Sequence, residues 1–125
     1  MMKSFVRPVQ AHCDLPCGVY EPAQARIEAE SVHRINQKYD GLDEQNQWRA
    51  VMIKEQRLEL VKHHLWVIWT DYAKPDHLES TPDLHDLFWR ATKQAGACKK
   101  TTSTEDSQAL LDLIDDVTLW FNSTK

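Results

Sequence analysis

His12, Cys13 and Cys17 put one imidazole and two thiols within six residues of the segment His12-Cys13-Asp14-Leu15-Pro16-Cys17-Gly18-Val19-Tyr20. As side chains alone they form a Cys-x-x-x-Cys turn that zinc could claim or that could close as a labile disulfide. A second chemistry opens if the chain is cut before His12. The new terminal amine and the amide nitrogen of Cys13 then bite one metal together. The Cys13 thiolate closes a second ring with its own amide, and Asp14-Leu15-Pro16 loops back to bring Cys17. Two nitrogens and two sulfurs in a plane suit Cu(II) or Ni(II), whereas structural zinc wants a tetrahedron. The His12 imidazole could reach an axial position. Two thiolates and a deprotonated amide donate electrons strongly, which brings the Ni(III)/Ni(II) couple within reach. The same thiolates are open to oxygenation, so the site must limit attack on sulfur.

The residues before His12 decide between these chemistries. Met1–Ala11 carries Lys3 and Arg7 but no apolar stretch of ~7–15 residues, so it does not read as a secretory signal. It reads either as a short pro-segment, residues 1–11, that is cut away, or as a frayed N-terminus left in place. Its loss takes two positive charges from a net −4 and leaves −6. An acidic chain disfavours a nucleic-acid surface. No apolar run approaches the ~20 residues of a membrane span, and the missing export signal gives a cytoplasmic expectation. Three cysteines are an odd number for a disulfide framework. Cys98 reads as a bystander thiol near a helix end.

Something must hold that segment in place, and the remaining sequence reads as helices. At 125 residues the chain suits one domain with one core, and only three glycines and five prolines argue against a loop-rich or β-rich fold. A first helix starts near Pro22, with Ala25, Glu28, Val32, Ile35 and Tyr39 at helical spacing and Gly41 available for a left-handed cap. A second runs from about Asp43 to Ala73. Trp48, Val51, Met52, Leu58, Leu65, Trp69 and Tyr72 form its stripe, and Lys74-Pro75 stops it. Residues 75–80 read as a connector. Thr81-Pro82-Asp83 starts a third helix, with Thr81 as the capping hydroxyl and Leu84, Leu87, Phe88, Ala91 and Ala95 buried. Thr102-Ser103-Thr104-Glu105 has capping-box character before a fourth helix carrying Leu110, Leu113, Ile114, Val117 and Phe121. Short connections between amphipathic helices predict an all-α fold. The arrangement is an antiparallel up-down four-helix bundle over 21–125, preceded by a metal-binding hook over 12–20.

The hook closely resembles that of the nickel-containing superoxide dismutases. The similarity continues through Pro22–Ser31, through Ile53–Arg57 and Lys62–Trp66 on to Trp69–Tyr72, and again through Leu110–Asp115. The resemblance implies a homohexameric enzyme with one nickel ion per subunit. It implies disproportionation of superoxide to oxygen and hydrogen peroxide by ping-pong Ni(III)/Ni(II) cycling. It also implies a maturation protease that cuts between Ala11 and His12. By resemblance the nickel ligands are the amine and imidazole of His12, the amide nitrogen and thiolate of Cys13, and the Cys17 thiolate. Glu28 and Arg57 match the pair that orients the His12 imidazole, Tyr20 and Tyr72 match the tyrosines at the open face, and Asp14 matches a residue that helps lock the hook. Cys98 and the stretch Leu42–Trp48 have no counterpart in that pattern. Local steering of the anionic substrate would fall to Lys74 and Arg57.

Two other classes are weaker. A di-iron carboxylate bundle needs two Glu-x-x-His motifs, and Glu30-Ser31-Val32-His33 supplies one. A zinc or metallochaperone protein could use His63-His64, but adjacent helical residues point ~100° apart. His33, His77 and His85 are dispersed, and His85 reads as solvated.

Overall fold

The structure is a computed structural model that describes residues 18–125. Residues 1–11, one reading of which is a pro-segment, and His12, Cys13, Asp14 and Cys17 lie outside the described residues. Among the described residues every regular element is helical: α1 Ala23–Lys38, α2 Glu44–Val67, α3 Pro75–Ser80, α4 Leu84–Cys98 and α5 Thr104–Ser123. Helix α1 packs on α2 and α5, and α4 packs on the same two helices. The four long helices therefore close the expected bundle, in the order α1, α2, α4, α5. Ala25, Ala29 and Val32 of α1 and Leu58, Val61 and Leu65 of α2 meet at its centre. Phe88 and Ala91 of α4 and Leu110, Ile114 and Val117 of α5 complete the same cluster.

The helix ends follow local chemistry. Asp43 caps α2 by accepting from the Asn46 amide at 2.9 Å. Ser103 caps α5 by accepting from the amides of Glu105 and Asp106. Three sequence expectations at helix ends are corrected. Helix α1 closes through a 3-10 turn over Tyr39–Gly41, and Gly41 is not left-handed; the positive-φ glycine is Gly18. Thr81 gives α4 no side-chain cap; its carbonyl accepts the Leu84 amide in a backbone turn instead. Residues 75–80 form the short helix α3 rather than an irregular connector. Pro75 sits in its first turn, where a missing N–H costs nothing, and the His77 imidazole accepts the Lys74 amide at 3.0 Å.

The largest correction concerns the first half of α2. Trp48, Val51 and Met52 were expected in the core and are exposed, Trp48 by 67% and Met52 by 64%. The inward stripe runs through Ala50, Lys54, Leu58, Val61 and Leu65. A large apolar side chain marks a buried face only where a neighbouring helix covers it. The inward position among the larger candidates is held by a lysine, whose apolar stem packs while its ammonium finds the carbonyl of Thr101.

The end of α2 also departs from a plain helix. Ile68–Tyr72 form a π-helical turn, closed by the Ala73 amide on the Ile68 carbonyl at 2.9 Å. The wider turn shifts the register of everything after it. Ile68 stays buried, and Trp69 and Tyr72 both pack against the core cluster. Such turns occur often at functional sites.

Candidate active site

Tyr72 is held at the end of the bundle by rings on several sides. Phe121 of α5 lies 4.7 Å away between centroids, and the His77 imidazole stacks at 5.6 Å with planes 13° apart. Trp120 meets it edge-on at 6.1 Å. Tyr20, two residues before the start of the α1 cap, lies 5.5 Å from the Tyr72 ring. Tyr20 is therefore anchored against the π-helical turn that follows α2. The ring contacts leave the phenol little freedom except rotation of its hydroxyl, which lies 2.6 Å from Thr124 Oγ1.

His77 contributes in two ways. Its Nδ1 accepts the Lys74 amide, so in the neutral ring the proton sits on Nε2. Its flat face supports Tyr72, and its edge meets Trp120 at 5.5 Å. His85 is exposed as expected and stacks on Trp69 at 5.4 Å, and Trp69 stacks in turn on Phe88.

Glu28 and Arg57, from α1 and α2, form an ion pair of 2.9 Å between Oε1 and Nη1. The Glu28 side chain is only 18% exposed. Arg57 Nε is buried and has no acceptor among the described residues. A buried guanidinium nitrogen without an acceptor is costly, so its presence asks for a further partner. Of the eight site residues read from the sequence, the structure thus brings together Tyr20 with Tyr72 and Glu28 with Arg57. His12, Cys13, Asp14 and Cys17 lie outside the described residues.

The rival readings lose their residues to other work. His33 Nδ1 lies 2.7 Å from Ser107 Oγ, and Glu30 is engaged by Arg26 and Arg34. His63 and His64 meet edge to face, 79° apart. Among the described residues no group of three or more His, Cys, Asp or Glu side chains could hold a metal ion, and no helix is long and apolar enough to cross a membrane. Cys98 is fully buried, and its thiol donates to the Asp106 carbonyl at 3.3 Å. Burial, then the Asp106 carboxylate, pushes its pKa up to about 11. It stands at the end of α4, as expected, and is a buried core group there.

Thr124, His77 and Trp120 belong to this end of the molecule and were not singled out in the sequence. Trp120 follows Val117 at helical spacing on the buried stripe of α5, but periodicity could not reveal the other two. Thr124 follows the last turn of α5, and His77 lies in a segment too short to show a helical repeat.

Residues 7–125 match the family model described as "Nickel-containing superoxide dismutase". The chain is 54% identical over 118 residues to "Superoxide dismutase [Ni]" of Streptomyces seoulensis, covering 94% of this chain and 90% of that one. It is 51% identical to the Streptomyces coelicolor protein of the same name, over the same shares. A crystal structure of nickel-containing superoxide dismutase with the nickel ligation of the oxidized state superposes with a TM-score of 0.87. That match is at 54% identity over 90% of this chain and 97% of that one. A native nickel superoxide dismutase structure superposes with a TM-score of 0.88 at 50% identity, over the same shares. Fold and matches together define the class, an all-helical metal-dependent oxidoreductase. Within it, the chain belongs to the nickel-containing superoxide dismutase family, whose cofactor is nickel.

Proposed function

We propose that this chain dismutes superoxide at an N-terminal hook, residues 12–20, that becomes competent when a protease cuts between Ala11 and His12. The amine and imidazole of His12, the amide nitrogen and thiolate of Cys13 and the thiolate of Cys17 would hold one nickel ion per subunit. This donor set, nitrogens with two thiolates, fits nickel chemically. Bound there, nickel supplies a one-electron Ni(III)/Ni(II) couple for ping-pong conversion of superoxide to oxygen and hydrogen peroxide.

The observation that carries the reading is the Glu28–Arg57 pair with its spare donor. A metal-bound imidazole is normally aimed by a partner on its other nitrogen. Glu28 is the acceptor for that ring nitrogen of His12, and Arg57 holds the carboxylate in place through Nη1. Arg57 Nε remains to donate to an atom of the hook. Asp14 ties the hook to itself. Tyr20 and Tyr72 narrow the approach, so that a small anion and the water beside it meet phenol hydroxyls.

The same reading extends to the assembly and the compartment. A homohexamer would cover surface such as Trp48, Val51 and Met52, which a single chain leaves exposed. On this reading residues 1–11 serve as a pro-segment and the compartment is the cytoplasm.

The test is to produce the chain beginning at Met1 and beginning at His12. Bound nickel, the Ni(III) electron paramagnetic resonance signal and dismutase activity are then measured in both. The His12-initiated chain is expected to bind nickel, show a rhombic signal and turn over. The longer chain is expected to do none of these until cut. Full activity in the uncut chain would remove the amine from the ligand set.

A further inference from the structure

Thr124 Oγ1 makes two contacts, each of 2.6 Å: one with the Tyr72 hydroxyl and one with the Phe121 carbonyl. A carbonyl can only accept, so the single proton of Thr124 goes to Phe121. The Thr124 oxygen is then an acceptor toward Tyr72. The short contact between them requires a proton, and only the phenol has one left to give. The Phe121 carbonyl also accepts the Thr124 amide at 3.1 Å, so residue 124 is fixed through both backbone and side chain. Phe121, His77 and Tyr20 hold the ring. The direction of the hydroxyl proton is therefore set by the last turn of α5 rather than by the solvent.

We infer that Thr124 is a positioning residue that turns the Tyr72 proton inward, so that Tyr72 meets water and anions with lone pairs alone. This rests on the reading above that Tyr72 stands at the approach to the hook. It changes the role of that tyrosine. Tyr72 cannot hydrogen-bond an incoming anion as a donor without giving up Thr124. It accepts from water and disfavours a resident anion. A small anionic substrate then passes without being held, and a proton bound for peroxide comes from the water that Tyr72 orders rather than from its own hydroxyl.

The experiment compares Thr124→Val, Thr124→Ser, Tyr72→Phe and the Thr124→Val/Tyr72→Phe double variant in the nickel-loaded, His12-initiated protein, with azide as the anionic probe. Thr124→Val frees the phenol proton to turn outward. A hydrogen bond to a charged group is then available, and azide inhibition is expected to tighten about ten-fold. Thr124→Ser keeps the hydroxyl and is expected to restore the parent inhibition constant. The gain should vanish in the double variant. In the metal-free protein, the tyrosine ring doublet in the Raman spectrum reports whether a phenol donates. It should move toward the weak-donor ratio in Thr124→Val but not in Thr124→Ser. Thr124→Ala serves the same comparison if the valine variant does not fold.

If azide inhibition in Thr124→Val equals the parent while Tyr72→Phe alters it, the inference about Thr124 is overturned and the placement of Tyr72 stands. If Tyr72→Phe leaves turnover and azide inhibition untouched, the placement of Tyr72 falls, and the inference with it. A gain that persists in the double variant, or that Thr124→Ser shares, would assign the effect to packing and overturn the inference.

Discussion

At one end of the bundle the side chains meet ring against ring, and toward the other they meet through hydrogen bonds. Tyr20, Tyr72, His77, Trp120 and Phe121 form the first arrangement, around a single tyrosine–threonine hydroxyl contact. In the second, Lys54 reaches the Thr101 carbonyl and Asn36 Nδ2 donates to the Ser103 carbonyl at 3.0 Å. His33 meets Ser107, and Cys98 donates to the Asp106 carbonyl. The polar region closes the α4–α5 loop onto the helices by using its carbonyls. The aromatic end has few polar groups and satisfies those of Tyr72 and His77 locally, through Thr124 and the Lys74 amide. The difference separates a region held by buried hydrogen bonds from one held by ring packing.

The comparison breaks most readily at the residues between chemistry and fold. Glu28→Gln should leave the bundle folded, because glutamine keeps the side-chain shape and an acceptor oxygen for Arg57, and Ala25, Ala29 and Val32 still pack. It removes the charge that would aim His12. Losing such an outer partner typically costs ~10–100-fold in metal affinity or activity. Activity should therefore fall by that order, while the thermal midpoint shifts by no more than a surface substitution would cause. Equal loss of both would place Glu28 with the structural region and remove its role at the hook.

Tyr72→Phe should have the next largest effect. It deletes one hydroxyl contact and keeps the ring among Phe121, His77 and Trp120. Stability should drop by ~1 kcal/mol in denaturant unfolding, the usual net worth of one such bond. The kinetic change should appear in anion inhibition and in the pH profile. A stability loss of several kcal/mol would mean that the aromatic end is core after all.

The polar region can be probed through pH. The Cys98 thiol has its pKa raised by burial from 9.0 to about 11. The folded state therefore favours the neutral thiol. That stability is fully present below pH 9 and is lost as pH climbs from 9 toward 11. At ~1.4 kcal/mol per pKa unit, the loss is on the order of 2–3 kcal/mol. Lys54 works the other way. Burial lowers its pKa from 10.5, so its cost to the fold is greatest at low pH and eases as pH approaches 10.5. Cys98→Ala should flatten the alkaline fall in unfolding free energy, and Lys54→Met should steepen it. Neither should touch nickel binding. A thiol reagent at pH 8 should label Cys98 only on unfolding; fast labelling of the native protein would show that this region is open.

The two regions also differed in how plainly the sequence announced them. The bundle was legible because Leu58, Leu65, Phe88, Leu110, Ile114 and Val117 repeat at helical spacing and are also covered. Trp48 and Met52 repeat equally well and are not covered; periodicity shows that a helix has an apolar face, not that another helix lies on it. Tyr20, Glu28, Arg57 and Tyr72 came from resemblance to a family pattern. Spacing alone would have made them an ion pair and two core rings. Thr124 and His77 carry no sequence signal, because their work depends on which carbonyl or ring lies beside them. The polar region was read least well. Cys98 looked incidental, and Lys54 fell outside the expected stripe, although both are among the most buried groups of their kind.

The smallest effect is expected at Lys74. It lies just beyond the π-helical turn that carries Tyr72, it is exposed, and its amide is held by His77 while its side chain points to no carboxylate among the ion pairs described. The chain as a whole is acidic, so its field opposes an anionic substrate, and attraction must be local. An exposed charge acts within about one Debye length, ~10 Å at 0.1 M salt. Lys74→Glu should therefore lower kcat/KM a few-fold at low ionic strength and converge with the parent as salt is added, with kcat and thermal stability unchanged. Unchanged salt dependence would leave the aromatic end without electrostatic guidance from this residue, and the steering would pass to Arg57.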